Sequence, residues 1–415
     1  MGYFKDVVSG VSWMGGLRGL TRILALLKIA VLARLLTPFQ FGLFGIASLA
    51  LAFLETLTET GINVFFIQGE GKLKDYINTA WVVSALRGVL ISLLILLSAN
   101  IIALFFNSPE SRNLLYLIAL VPFVRGFINP SIVKFRMNLL FKSEFLLRSV
   151  IYGVEAATTL VFAILTRNAS SFVWGMIIGA VTEVMLSFIL FKPKPKLIFS
   201  MEKAKKVISR GKWVAVAQTA DLGFEHTDDV LVGRLLDATS LGIYQVAYKI
   251  STLPLTEVGK VVSQVTFPVY AKIGGDLNRL NKAFVKVFLS VCVMAIPAGL
   301  LLYLFPKQIV LVTLGEKWLS AVIVLKVLAI FGIMRALVHT TYSLFLTVKK
   351  QEYIAYLNII SFVGLAITVI PLIKYYGILG AAYSAIIGLF ISIPFAYYYV
   401  LKVLRASSKN GRQYS

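Results

Sequence analysis

The stretch KPKPKLIFSMEKAKKVISRGK, residues 192–212, separates two long series of apolar runs near the middle of this 415-residue chain. Its basic residues are Lys192, Lys194, Lys196, Lys203, Lys205, Lys206, Arg210 and Lys212. Cytoplasmic loops of membrane proteins collect Lys and Arg, whereas exported loops do not. The stretch therefore predicts a cytoplasmic linker between two comparable membrane halves, a layout typical of transporters. The predicted divisions are 1–191, the linker at 192–209, 210–402 and a cytoplasmic tail at 403–415.

The composition is that of a membrane protein. Of the residues, 58% are hydrophobic and 14% are charged, whereas about 25% are charged in a soluble domain, and the mean hydropathy is +0.85. A net charge of +22 is also found in nucleic-acid-binding proteins. Here the basic residues lie between apolar spans, so we expect no nucleic-acid partner. The single cysteine, Cys292, lies in an apolar run, which argues against a disulfide framework or a thiolate metal site.

Runs of about 20 apolar residues, the length that crosses a bilayer as a helix, occur about twelve times. In the first half they fall near 12–36, 40–67, 78–106, 113–137, 144–166 and 170–191. In the second half they fall near 211–236, 241–268, 283–314, 318–348, 353–374 and 377–402. Every second loop is basic and the alternate loops are short, so both termini are predicted to be cytoplasmic. We predict an all-α integral membrane protein of two six-helix lobes in the cell membrane.

The loops leave no room for a soluble catalytic domain, and the sequence has no motif of one. A nucleophile elbow, a P-loop, a dinucleotide fingerprint and the paired carboxylates of a glycosyltransferase are all missing. We therefore expect no enzymatic activity and no cofactor. We also expect that any transport is driven by an energy source other than ATP. An integral-membrane glycan polymerase or ligase is the alternative from another class. Such enzymes usually need a sizeable outward loop, and the predicted outward loops are only a handful of residues long.

Cationic residues inside predicted spans are the first candidates for a site, because a charge in lipid is costly and normally faces a cavity or a partner. The first span carries Arg18, Arg22, Lys28 and Arg34, the third and fourth add Arg87 and Arg125, and the second half adds Lys249. Snorkelling to the membrane surface explains Arg34, and even Arg18, better than Lys28. Since guanidinium forks match phosphate oxygens, the favoured interpretation is a cationic cavity for an anionic ligand.

Acidic residues within the second span form another candidate group. Glu55 and Glu59 are four residues apart, which places them on one face of a helix. Two carboxylates in a dry site cannot both ionise easily, so they would titrate as a unit. The pair therefore either neutralises the arginines structurally or takes part in ion coupling.

A second acidic stripe lies on the seventh predicted span. Asp221, Glu225 and Asp228 follow one another at spacings of four and three residues, which is one helix face. The stripe either holds a coupling ion, Na⁺ or H⁺, or pairs with Lys249 or Lys260 on the next span. Neither histidine has metal-ligand spacing to a second His or Cys, so no metal site is assigned.

Short motifs mark the ends of several predicted spans. In the first half they are ARLLTP at 33–38 and FGLF at 41–44. In the second half they are DVLVGRLL at 229–236, LGIYQVAYK at 241–249, FPVYAK at 267–272 and GEKW at 315–318. In combination they resemble polysaccharide-transporter (Wzx-like) flippases of the multidrug/oligosaccharidyl-lipid/polysaccharide (MOP) superfamily. The GEKW motif, with Gly61-Ile62 after the acidic pair, is most similar to exporters of the colanic-acid and teichuronic-acid type.

The resemblance implies a flippase that moves an undecaprenyl-pyrophosphate-linked oligosaccharide to the outer leaflet by alternating access. The spacing of Arg22, Lys28 and Arg34 is similar to that of basic residues that meet the pyrophosphate in lipid II flippase relatives. The role of Arg18 rests on its position in the span alone. Expected partners are this lipid-linked oligosaccharide, membrane lipids and the polysaccharide polymerase or export machinery. A lipid II flippase or a small-molecule exporter is the alternative within the superfamily, although a cationic first half argues against an exporter of cationic drugs.

Overall fold

The computed structural model describes residues 2–67, 73–138, 140–273 and 277–410, and the regular structure in those ranges is helical. The first half contains α1 (Gly2–Leu35), α2 (Pro38–Leu57), α3 (Ile62–Ile67), α4 (Leu73–Phe105), α5 (Ser111–Ile118), α6 (Leu120–Arg125), α7 (Lys134–Met137), α8 (Phe141–Thr166) and α9 (Ser170–Leu190). The second half contains α10 (Met201–Leu235), α11 (Ala238–Ile273), α12 (Leu277–Leu304), α13 (Pro306–Thr313), α14 (Ala321–Thr347), α15 (Gln351–Tyr376) and α16 (Ile378–Asn410). The predicted all-helical class is confirmed.

Eight of the described helices are long and apolar enough to cross a bilayer: α2, α4, α8, α9, α12, α14, α15 and α16. Ser111–Arg125 and Pro130–Met137 would add a ninth if they form one broken span. Large apolar side chains such as Leu97 and Leu165 are mostly exposed, as expected for helices that face lipid. The predicted spans at 12–36, 211–236 and 241–268 fall on α1, α10 and α11. The total of about twelve and the cytoplasmic position of both termini stay predictions.

The fourth predicted span, 113–137, is not one straight helix. Its two parts meet at 71°, and the second part begins as a 3-10 turn at Pro130. Proline disfavours helical backbone at the residue before it and has no N–H to donate. Asn129 caps the new turn, because its side-chain oxygen accepts a hydrogen bond from the Ser131 N–H at 2.9 Å. The break leaves Arg125 at the end of α6, beside the cavity described below.

Contacts divide the chain into two compact units. Unit 1 comprises Met1–His226 with Asp237–Gly242, and unit 2 comprises Thr227–Leu236 with Ile243–Ser415. Within unit 1, α8 packs along α9 and against α1, while α6 packs between α4 and α9. Within unit 2, α14 packs against α12 and α16, and α16 lies along α15. The predicted lobes at 1–191 and 210–402 stay predictions.

The start of α2 crosses the start of α11 within unit 1. Thr37 and Gln40 form a capping box at α2, with the Thr37 N–H donating to Gln40 Oε1 at 2.9 Å. A Cβ added to Gly42 would lie 1.6 Å from the carbonyl oxygen of Ala238, and one added to Gly242 would lie 2.1 Å from that of Pro38. Only glycine allows the two backbones to approach this closely. The same pattern, Arg-Leu-Leu and then glycine at the ninth residue, occurs at 34–42 and at 234–242.

Candidate functional site

A cavity of about 430 Å³ lies among the helices of unit 1. The charged side chains that line it, within the described part of the chain, are Glu55, Glu59, Arg87, Arg125, Arg148 and Glu183. They come from α2 and the turn after it, α4, the end of α6, α8 and α9. Four of the residues singled out in the sequence, two arginines and two glutamates, therefore meet in one place.

Arg87 is anchored at the C-terminal end of α2. Its Nη2 donates to Glu59 Oε2 at 3.2 Å and to the backbone carbonyl oxygen of Glu55. Its Nε donates to Thr58 Oγ1 at 3.2 Å. The last carbonyl groups of a helix have no partner within the helix, so a guanidinium is well placed to satisfy one. Arg87 is therefore held in position by neutral acceptors as well as by a carboxylate.

Glu59 lies beyond the end of α2. The helix ends at Leu57, Thr58 forms its C-cap, and Gly61 has a φ of +66° in the turn that follows. Glu59 Oε1 accepts a hydrogen bond from the Gly61 N–H at 3.0 Å within this turn. The prediction that Glu55 and Glu59 share a face of one helix is wrong, because the turn stops the helix between them. The two carboxylates still reach the same cavity, where they pair with different arginines.

Two further ion pairs complete the charged lining. Arg125 Nη1 lies 3.3 Å from Glu55 Oε1, and Arg148 Nη1 lies 2.7 Å from Glu183 Oε1. Three arginines thus face three glutamates, and their formal charges cancel. A charge at membrane depth normally finds a partner in this way. The described lining is therefore charge-balanced, and each of its arginines is paired with a carboxylate.

Lys28 lies in the contact between α1 and α8. Its Nζ donates to Glu155 Oε1 at 2.9 Å, and both side chains are partly buried. Glu155 is fixed from the other side by α9, since a Cβ on Gly179 would lie 3.1 Å from the Glu155 Cβ. Among the described residues, Lys28 does not line the cavity. The structure therefore places it in a pair between two helices.

The remaining predicted cations are dispersed. Arg34 lies in the last turn of α1 and is exposed. Lys249 lies on α11 in unit 2 and is partly buried. The side chains of Arg18 and Arg22 fall outside the described residues. A role for these four positions in binding stays a prediction.

The acidic stripe of α10 has one buried member among those described. Asp228 is buried in unit 2, and its Oδ2 accepts a hydrogen bond from the Tyr244 hydroxyl at 2.6 Å. Its Oδ1 accepts from the Asp229 N–H at 2.9 Å. Glu225 is exposed and belongs to unit 1, and the side chain of Asp221 falls outside the described residues. The partner of Asp228 described here is therefore a tyrosine of the next helix.

We expect Tyr244→Phe to destabilise the protein by about 1.5–3 kcal/mol, because it removes a donor from a buried carboxylate. The measurement is thermal unfolding of the purified protein in detergent. Tyr375→Phe is the matched control, since this tyrosine is 83% exposed and should unfold like the parent. Equal unfolding temperatures for the two variants would mean that the hydrogen bond to Asp228 is not stabilising.

Arg148, Glu155 and Glu183 were not singled out in the sequence, although a signal was available. All three are ionisable residues inside predicted spans, at 144–166 and 170–191. The rule that selected Arg87 and Arg125 applies to them equally. Sequence spacing alone gives no indication of which charges pair, because the partners are 28 to 127 residues apart.

Comparison with known proteins identifies the relatives of this chain. A family model described as polysaccharide biosynthesis protein matches residues 31–323. The teichuronic acid biosynthesis protein TuaB of Bacillus subtilis is 24% identical over 359 residues, which are 85% of this chain and 73% of that protein. The lipopolysaccharide biosynthesis protein WzxC of Escherichia coli is 24% identical over 355 residues, which are 84% of this chain and 71% of that protein.

Solved structures of transporters share the fold. The lipid II flippase MurJ, in an inward closed conformation, gives a TM-score of 0.74 at 16% identity over 95% of this chain and 89% of that chain. An inward-facing multidrug resistance MATE family transporter of the MOP superfamily gives 0.66 at 14% identity, over 94% and 96%. The resemblance noted in the sequence motifs is confirmed. The chain is a multi-pass membrane protein with the fold of MOP-superfamily transporters, and it belongs to the polysaccharide biosynthesis protein family.

Proposed function

We propose that this protein is a flippase for undecaprenyl-pyrophosphate-linked oligosaccharide repeat units. It moves them from the inner to the outer leaflet of the cytoplasmic membrane by alternating access, driven by an ion gradient or the membrane potential, and it is not an enzyme. The family match supports a role in polysaccharide biosynthesis, and the fold shared with a lipid II flippase supports lipid-linked cargo. Membrane lipids and the polysaccharide polymerase or export machinery are its proposed partners.

The observation that carries the proposal is the convergence of Arg87, Arg125 and Arg148 on one cavity of unit 1. A diphosphate is the charged part of the proposed substrate. Guanidinium groups bind phosphate oxygens with two parallel hydrogen bonds, and a low dielectric strengthens each contact. Arginines from three different helices can contact several oxygens of one diphosphate without steering the variable sugar. Such a site recognises the shared carrier and tolerates different glycans.

A lipid II flippase is the second candidate, favoured by the TM-score of 0.74 to such a protein. Its substrate also carries a lipid diphosphate, so the arginines alone do not separate the two functions. The distinction lies in which precursor accumulates when the protein is removed.

Depletion of the protein in its host tests the proposal. We expect surface polysaccharide to disappear and lipid-linked oligosaccharide to accumulate in the inner leaflet, while peptidoglycan synthesis continues. Lysis with accumulation of lipid II would favour the second candidate. Normal polysaccharide export together with normal peptidoglycan synthesis after depletion would contradict both.

A further inference from the structure

We infer that the carboxylates of Glu55, Glu59 and Glu183 are exchangeable counter-ions. They pair with the cavity arginines until the diphosphate of the substrate displaces them. The inference rests on the proposed function, and it assigns to these carboxylates a role other than ion coupling. They act as positioning residues, because their effect on the substrate passes through the arginines.

The charge balance of the lining is the first step of the argument. Among the described residues, the cavity is lined by three arginines and three glutamates, whose formal charges sum to zero. A diphosphate that entered without displacing a carboxylate would lie beside glutamates that are still paired with the arginines, and the site would carry a net negative charge. Like charges repel at such short separations. Binding therefore proceeds by exchange of one anion for another.

The second step is that Arg87 can keep its position during the exchange. Arg87 donates to the Thr58 hydroxyl and to the Glu55 carbonyl oxygen, as well as to the Glu59 carboxylate. If the carboxylate moves away, the two neutral acceptors remain. Arg87 is therefore a preorganised cation, and Glu59 is its replaceable counter-ion.

The third step is a ranking of the carboxylates by how easily each is displaced from its arginine. The Arg125–Glu55 pair is the longest, at 3.3 Å, and its side chains are 35% and 31% exposed. The Arg148–Glu183 pair is the shortest, at 2.7 Å, and the Glu183 side chain is only 11% exposed. Glu55 should therefore exchange first and Glu183 last.

Binding of inorganic pyrophosphate to the purified protein, measured by calorimetry, tests the inference. In Glu55→Gln the side chain keeps its shape but no longer competes for Arg125. Because a partly exposed ion pair contributes up to about 1 kcal/mol, which corresponds to about fivefold, we expect pyrophosphate to bind about fivefold more tightly. Glu59→Gln should give the same direction of change. A purely structural carboxylate would not produce a gain of affinity.

Glu352→Gln is the matched control. Glu352 forms a comparable pair with Lys350, at 3.3 Å with side chains 41% and 50% exposed, and does not belong to the described cavity lining. This variant should bind pyrophosphate like the parent. Chloride at the same ionic strength controls for non-specific charge effects.

The outcomes separate the inference from the proposed function. If Glu55→Gln and Glu59→Gln fail to tighten binding while Arg125→Ala abolishes it, the carboxylates are fixed counter-ions and only the inference is overturned. If neither Arg125→Ala nor Glu55→Gln alters pyrophosphate binding, the cavity is not the diphosphate site. The proposed function then also loses the observation that carries it.

Discussion

Replacing Arg87 with alanine is expected to reduce export of the glycan by about 100-fold, with lipid-linked precursor retained in the inner leaflet. The change removes one of the arginines proposed to bind the diphosphate and leaves Glu59 without its described cation. Truncating one member of a buried, hydrogen-bonded charge pair costs about 2–5 kcal/mol. Because Arg87 and Glu59 are 23% and 26% exposed, we expect the lower part of this range, a factor of about 30 to a few hundred. Surface glycan and the leaflet position of the precursor are the measurements.

A second variant separates binding from folding. An unpaired buried charge can lower abundance by itself, so Arg87→Ala combined with Glu59→Gln should restore the amount of protein but leave export abolished. Arg87→Lys should be partly active, since lysine keeps the charge and loses the fork. The control is Lys206→Ala, because Lys206 is 57% exposed, pairs with a Glu202 side chain that is 78% exposed and lies outside the described cavity lining. Full export by the double variant would mean that Arg87 does not bind the substrate.

Alanine at Gly42 or Gly242 is expected to cause the largest loss of stability. The new methyl group would lie 1.6 Å from the Ala238 carbonyl oxygen in the first case and 2.1 Å from that of Pro38 in the second. Both obstacles are backbone atoms, so no side-chain rotation relieves the clash. Overpacking a tight contact costs about 1–3 kcal/mol or more, and we expect the upper end of this range or failure to fold. Monodispersity and thermal unfolding in detergent are the measurements.

Gly153→Ala is the control for this pair. Gly153 lies in α8, and an added Cβ would have no neighbour within 4 Å. Alanine also has the higher helix propensity, by about 1 kcal/mol, so this variant should be at least as stable as the parent. Parent-like unfolding of Gly42→Ala would show that the two helix starts are not packed as described.

Much of the helical architecture is predictable because the physics is local. A run of about 20 apolar residues must be helical in lipid. Proline cannot continue a helix and restricts the residue before it, so the break between α1 and α2 at Thr37-Pro38 is a local consequence of the sequence. The bend at Pro130 and the early end of α2 at Leu57 are less predictable. Asn129-Pro130 and Gly61 are turn-forming residues, but proline also occurs inside a continuous helix of this chain, as at Pro297 of α12, so such residues do not by themselves show where a span breaks.

Which residues pair with one another in the cavity is harder to predict than which types of charged residue line it. The rule that charges in spans are functional candidates selected Arg87, Arg125, Glu55 and Glu59, which do line one cavity. It gave no pairing, because the partners Arg125 and Glu55 are 70 residues apart and meet only through helix packing. Assigning cations and carboxylates to separate roles also missed that they neutralise one another.

Unit 2 shows the same limit. The acidic spacing on α10 correctly marked Asp228 as unusual, but its described hydrogen-bond donor is the hydroxyl of Tyr244, an uncharged residue of the next helix. A search for charge complementarity alone cannot find such a partner. Whether the stripe couples an ion to transport stays a prediction.

Reconstituted translocation tests the central claim most directly. Purified protein is placed in vesicles with undecaprenyl-pyrophosphate carrying a labelled oligosaccharide, and the label accessible to an external glycosidase is followed with time. The account predicts that the parent protein moves the glycan between leaflets well above the rate of protein-free vesicles, and that Arg87→Ala at equal content falls to that rate. Equal rates for the parent protein and protein-free vesicles, under an imposed ion gradient and membrane potential, would contradict it.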